Sequence, residues 1–148
     1  MAERVLVPID GSPLSYRALK HALDRFTEAE ITVFHVSDIF DPGVGVESDL
    51  DSLYEPMIGS DAWYEMEAEL REELFAEAES IASEYGREIS TAAEIGDPQR
   101  VIPDYAEEED VDHIVIGVHG REDEDRSLVG RVAETIVFRS PVSVTIIR

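Results

Sequence analysis

The most chemically suggestive spacing in this chain is Gly117-Val118-His119-Gly120 followed, after nine residues, by Gly130-Arg131. Gly117 follows an apolar run that reads as a buried strand, and Gly130 or its neighbour opens a helix. Main-chain N–H groups from a loop and a helix N-terminus could therefore converge on phosphate oxygens. Glycine leaves no Cβ in the path of such an approach. The spacing also has a purely structural reading, in which Gly117 and Gly120 make a turn and Gly130 lets its helix pack closely on the sheet. Other candidates carry less. His21, His35, His113 and His119 do not share metal-ligand spacing and read as packed or surface imidazoles. Asp10-Gly11-Ser12 could be a nucleophile motif, but a strand-ending aspartate followed by a helix cap accounts for it. Asp49-Leu50-Asp51 lacks the glycine and distal glutamate of a calcium loop. The absence of cysteine excludes disulfides, thiolate zinc sites and a cysteine nucleophile. No positioned general base, P-loop lysine or metal-binding pair is visible, so an enzyme is not expected.

The elements that must position these residues alternate between strand-like and helix-like patterns with short connections, the signature of βαβ units around a parallel sheet. Strands are expected over residues 4–9, 31–36, 88–95, 113–116 and 142–147. Ser12-Pro13 and Asp97-Pro98 each supply an N-cap followed by proline at the first helical position. The first helix carries Tyr16, Leu19, Leu23 and Phe26 on one stripe. A long helix capped by Ser60 or Asp61 turns Trp63, Met66, Leu70, Leu74, Ile81 and Tyr85 inward and stops at Gly86. The third helix has Val101, Ile102, Tyr105 and Ala106 on its core face; its acidic end, residues 107–110, opposes the helix dipole and is expected to fray. The last helix places Val132, Ile136 and Val137 inside and is broken by Ser140-Pro141. Between the second strand and the long helix, residues 37–60 form an acidic connection long enough to act as a flap. Residues 1–148 read as one α/β domain of five strands and four helices.

Charge narrows the partners. With 34 acidic against 12 basic residues the net charge is -22, so nucleic acid and anionic membranes are not expected as partners. Lys20 is the only lysine, and acids are spread along every segment. That distribution resembles proteins of salt-loving organisms, with an acidic mesophilic protein as the alternative. The first residues lack a basic flank and apolar stretch, and no apolar run approaches the roughly 20 residues that span a bilayer, so a cytoplasmic protein is expected.

Gly117-x2-Gly120-x9-Gly130 resembles the ATP-binding signature of the universal stress protein family, in which the last glycine is followed by serine or threonine. Val7-Pro8-Ile9-Asp10-Gly11-Ser12 is similar to that family's opening strand and turn, and His35-Val36 to its second strand end. Val132-Ala133-Glu134 and Ser140-Pro141-Val142 resemble its closing helix and strand. The resemblance spans the chain and implies a flavodoxin-like or Rossmann-like doubly wound sheet of five parallel strands, order 3-2-1-4-5. It implies ATP, with Mg, in a crevice bounded by Pro8, Asp10 at the sugar or base, and the Val36 backbone at adenine. Gly117, Gly120, Gly130, Arg131 and Val132 would surround the phosphates. Arg131 replaces the hydroxyl residue, and Glu122-Asp123-Glu124-Asp125 puts four carboxylates inside the glycine loop. The arginine could supply a bidentate charged contact. The carboxylates read as a solvated loop tip, with a metal bridge as the alternative. The family's regulatory role and its dimer through a C-terminal strand imply a nucleotide-binding stress-response homodimer. A nucleotide-free homodimeric scaffold of the same fold is the other reading.

Overall fold

The computed structural model describes residues 2–38, 59–118 and 131–148. Among them five strands and four helices alternate: β1 (Arg4–Pro8), α1 (Pro13–Arg25), β2 (Glu30–Asp38), α2 (Asp61–Glu84), β3 (Ser90–Gly96), α3 (Pro98–Glu108), β4 (His113–Gly117), α4 (Arg131–Arg139) and β5 (Ser143–Ile147). The strands form one parallel sheet in the order β3-β2-β1-β4-β5, as the resemblance implied. Central β1 pairs with β2 through Val5↔Ile31 and with β4 through Val5↔His113.

Strand periodicity divides the core into two layers. Val5, Val7, Ile31, Val33 and Val115 pack against Leu19, Leu23, Leu74 and Ile81 of α1 and α2. Leu6, Phe34, Ile114 and Ile116 pack against Ile102, Ala106, Ala133 and Ile136 of α3 and α4. Both faces of β1 are covered, which is why its residues read as a continuous apolar run.

Local chemistry sets the helix ends. Ser12 Oγ accepts from Ser15 N at 3.2 Å, and Asp97 Oδ1 from Gln99 N at 3.0 Å. Ser60 Oγ accepts from Trp63 N at 3.2 Å, so Ser60 and not Asp61 caps α2. At the other end of α2, Gly86 takes φ +66°, Arg87 N donates to Ala82 O and Gly86 N to Ser83 O, closing a Schellman motif. Arg87 then reaches back to α1. Its guanidinium donates to Leu23 O at 3.0 Å, Phe26 O at 2.8 Å and Ala29 O at 2.7 Å, tying together carbonyls at and just beyond the end of α1.

Several expectations are corrected. The end of α3 closes where fraying was expected: Asp110 adopts φ 53°, Val111 N donates to Ala106 O at 3.0 Å, and Arg4 Nη1 donates to Glu109 O at 2.9 Å. A cation from β1 thus meets the negative end of a helix that carries no basic residue in its last turn. Met66, Tyr85 and Val137, read as core, are exposed. On α2 the buried stripe runs through Trp63, Glu67, Leu74, Ala78 and Ile81, and Met66 lies about 100° around the helix from Glu67. Tyr85 is the C-cap, past the last buried turn, and Val137 is likewise one step around from buried Ile136. Strand bounds also move: β1 stops at Pro8, one residue short of the reading, while β2 extends to Asp38.

Candidate functional site

Successive strands are added on one side of β1 up to β3 and on its other side from β4 onward, and the carboxyl ends of β2, β1 and β4 hold Val36, Asp10 and Gly117. Such a switch point opens a crevice, because the connections leave in opposite directions. Adjacent strands lie about 4.8 Å apart, so the crevice spans roughly 10 Å from β2 to β4.

On the β1 side, Pro8 is buried as the last strand residue, opposite Phe34. Asp10 is half-buried at the rim, and its Oδ1 accepts from Ser12 N at 2.8 Å. Gly11, at φ 88°, turns the chain between them. Ser12 O in turn accepts from Ser15 Oγ at 2.8 Å, so the turn and the start of α1 form one hydrogen-bonded unit. Tyr16, one turn into α1, has its phenol pushed up to about 12 by burial first, then by the charges of Glu77 and Asp10.

On the β2 side, Phe34 O faces β1 and accepts from Ile9 N at 2.8 Å. Residues two apart in a strand present their main chain to the same side. Val36 therefore directs its N–H and C=O toward the β1 side, level with Asp10, where β1 has already left the sheet. His35, 7% exposed, engages Ile9 O through Nδ1 at 2.9 Å and fixes that departure. Its role is structural, as is that of His113, whose Nε2 lies 2.6 Å from Thr145 Oγ1.

On the β4 side, Gly117 closes the strand. A Cβ there would stand 2.5 Å from Leu14 O and 2.6 Å from Leu14 C, so the first turn of α1 occupies the space a side chain would need. This glycine is required by helix–strand packing, whatever the loop beyond it binds. Arg131 is the exposed first residue of α4, and half-buried Val132 packs against the α3/α4 layer. Gly120, Gly130, His119, Arg121, Arg126 and the acidic run at 122–125 lie outside the described residues, as does most of the connection at 37–60. Structure thus brings Pro8, Asp10, Val36 and Gly117 to one end of the sheet and leaves the glycine spacing itself undescribed.

Sequence reasoning missed a buried polar network beside the crevice. Ser37 Oγ donates to Glu67 Oε1 at 2.7 Å, and Arg71 Nη1 stands 3.2 and 3.3 Å from the two Glu67 oxygens. Glu67 is only 5% exposed. The signal was a glutamate interrupting an otherwise apolar stripe four residues after Trp63. A separate concavity of about 480 Å³ opens between α1 and the end of β5, lined by Arg17, His21, Ile146, Ile147 and Arg148. Among the described residues no cluster of histidine and carboxylate side chains could hold a metal, and no helix is long and apolar enough to cross a membrane.

Comparison with known proteins places this geometry. The chain is 32% identical over 152 residues to Universal stress protein MJ0531 of Methanocaldococcus jannaschii, a match covering 99% of this chain and 82% of that protein. Among solved structures, the universal stress protein UspA from Lactobacillus plantarum superposes with a TM-score of 0.74 at 25% identity, covering 99% of this chain and 97% of that one. Two more distant relatives share the fold and hold nucleotides. A universal stress protein in complex with cAMP gives a TM-score of 0.68 at 23% identity, with 99% and 97% of the two chains covered. A universal stress protein family protein from Arabidopsis thaliana with AMP bound gives 0.66 at 16%, with 98% and 90% covered. The profile described as "Universal stress protein family" matches residues 1–148, and the chain belongs to that family.

Proposed function

We propose that this protein binds an adenine nucleotide, ATP with Mg, at the switch-point crevice and acts as a homodimeric regulator in which the nucleotide biases conformation or partner choice without rapid turnover. One observation carries the reading: Val36 offers a main-chain N–H and C=O side by side beyond the end of β1, level with Asp10. An adjacent donor and acceptor complement N1 and the 6-amino group of adenine, and the Asp10 carboxylate is suited to the ribose. Nucleotides held by relatives of the same fold support it. In this reading Pro8 lines the base, while Gly117, Gly120, Gly130, Arg131 and Val132 surround the phosphates. Arg131, exposed at the positive end of α4, supplies charge where the family pattern has a hydroxyl. Dimerisation would use β5, an edge strand whose residues 144–147 are only half-buried.

The nucleotide-free scaffold remains the second reading, favoured by the packing role of Gly117, which explains that glycine without a ligand. Mass analysis of small molecules released from purified protein, followed by calorimetric titration with ATP and adenosine in high salt and magnesium, separates the two. Binding of ATP supports the first reading, and no binding of either ligand leaves the scaffold. If Arg131 provides phosphate charge, Arg131→Ser weakens ATP more than adenosine; if it blocks the site, the same change strengthens ATP. A monomer by light scattering would overturn the dimer.

A further inference from the structure

Acids outnumber bases 34 to 12 in this chain, so a surface hollow would ordinarily be rimmed by carboxylates. The concavity of about 480 Å³ between α1 and the end of β5 is the opposite case. Arg17, His21, Ile146, Ile147 and Arg148 line it, with no aspartate or glutamate among them. None of its three basic residues forms an ion pair with another described residue. By contrast, Arg4, Arg71 and Arg87 are taken up by carboxylates or main-chain carbonyls.

Both walls of the concavity are set by main chain. Leu14 O lies so close to Gly117 that a Cβ there would stand 2.5 Å from it, which seats the first turn of α1 on the end of β4. Arg17 and His21 follow Leu14 by three and seven residues and continue the same side of the helix, about 6 Å apart along its axis. On the other wall, Ile147 pairs with Gly117, and its carbonyl accepts from Val118 N at 2.8 Å. Gly117 thus locks both walls, and the spacing between cations and isoleucines exists before any ligand arrives. Ile147 packs with the α1/α2 layer, so its side chain stands on the face of the sheet, whereas a partner strand along the β5 edge would bond main chain.

We propose that this concavity is a second binding site, for a small organic anion whose carboxylate or phosphate-monoester head meets Arg17, His21 and Arg148 and whose short aliphatic body lies on Ile146 and Ile147. Guanidinium forks match either head group, and a volume of this size is that of small-molecule sites. Arg17 and Arg148 are exposed, so solvent screens each charge and a bare oxyanion is held weakly. Burial of the aliphatic body supplies the rest. The net charge of -22 opposes every anion at long range, so the site selects by contact and not by steering. Its lining includes none of the residues assigned to the nucleotide, and the proposal stands apart from that reading.

The test titrates the wild-type protein with hexanoate, hexyl phosphate, acetate, inorganic phosphate and hexanamide at fixed pH and ionic strength, following amide resonances in ¹H–¹⁵N spectra. Hexanoate or hexyl phosphate should shift the Arg17, His21 and Ile147 amides saturably and leave Asp10 and Val36 in place; the tighter of the two names the head group. Acetate, inorganic phosphate and hexanamide, each lacking body or charge, should bind on the order of tenfold more weakly. Arg17→Ala, at an exposed position that the fold does not need, should weaken the organic anion on the order of tenfold. Lys20→Ala, which removes an exposed cation of α1 outside the lining, should leave its affinity unchanged. Equal binding of acetate or inorganic phosphate would mean an adventitious ion only, and equal binding of hexanamide an uncharged apolar surface. Either result overturns the proposal. So does the absence of a saturable shift with both organic anions, a response confined to Asp10 and Val36, or an equal loss in the two variants.

Discussion

Gly117→Ala tests whether the first glycine of the spacing is there for the fold. The added Cβ would lie 2.5 Å from Leu14 O, so relief requires a shift of roughly 0.5 to 0.9 Å. Leu14 cannot give that distance freely, because Ser12 is held by Asp10 and itself caps Ser15. Overpacking a close contact costs about 1 to 3 kcal/mol, and loosening an N-cap adds about 1 kcal/mol. The expected loss is therefore about 2 to 4 kcal/mol, or roughly 5 to 15 °C in Tm for a chain of this size. Urea and thermal unfolding with no ligand present measure it. A Gly117→Ala midpoint within about 1 °C of wild type would refute the packing argument and return this glycine to the loop. The result also governs how binding data are read, since ATP binding lost in this variant would not identify Gly117 as a ligand contact.

Tyr16, raised to about 12 by burial and then by Glu77 and Asp10, should titrate later than an ordinary tyrosine in a spectrophotometric titration. Its folded value lies above the unfolded 10, so its contribution to stability is complete below pH 10 and is lost as pH rises toward 12. Arg87→Ala should lower stability by about 2 kcal/mol in urea unfolding, because the guanidinium holds three carbonyls at the end of α1. Arg87→Lys should recover less than half, since one ammonium cannot span all three; full recovery would reduce the clamp to a simple charge effect. Lowering ionic strength from molar to about 10 mM lengthens the screening distance from about 3 to about 30 Å. The melting temperature should then fall as the net charge of -22 repels itself, and an unchanged midpoint would mean the acids are already neutralised within the fold.

What the sequence made legible was chemistry that acts within a few residues. Ser12-Pro13, Asp97-Pro98 and Gly86 mark helix ends because their partners lie two to four positions away. The continuous apolar run of β1 marked a strand covered on both faces for the same reason. Interactions that depend on where the chain returns were not legible. Arg87 reaches carbonyls 58 to 64 residues earlier, Ser37 meets Glu67 30 residues on, and Arg4 closes a helix 105 residues away. Gly117 belongs to the same group. Its type was visible, but the helix turn that excludes a side chain becomes evident only once α1 lies across β4. Asp10 and Val36 were named by resemblance, and the structure adds the register: β1 leaves the sheet two residues before the level of Val36.

The pairing of β1 with β4 sets a timetable for biosynthesis. Val5 and His113 are neighbours in the sheet yet 108 residues apart in the chain, so β1 can zip to β2 early but waits for β4. At about 5 to 20 residues per second, the interval between residues 38 and 117 leaving the ribosome is roughly 4 to 16 s. Throughout it, one edge of a strand buried on both faces offers bare main-chain groups to any neighbouring nascent chain. The segment synthesised in that interval contains α2, in which nine acids face one arginine. Charge of one sign beside an unfinished edge opposes such pairing until β4 arrives.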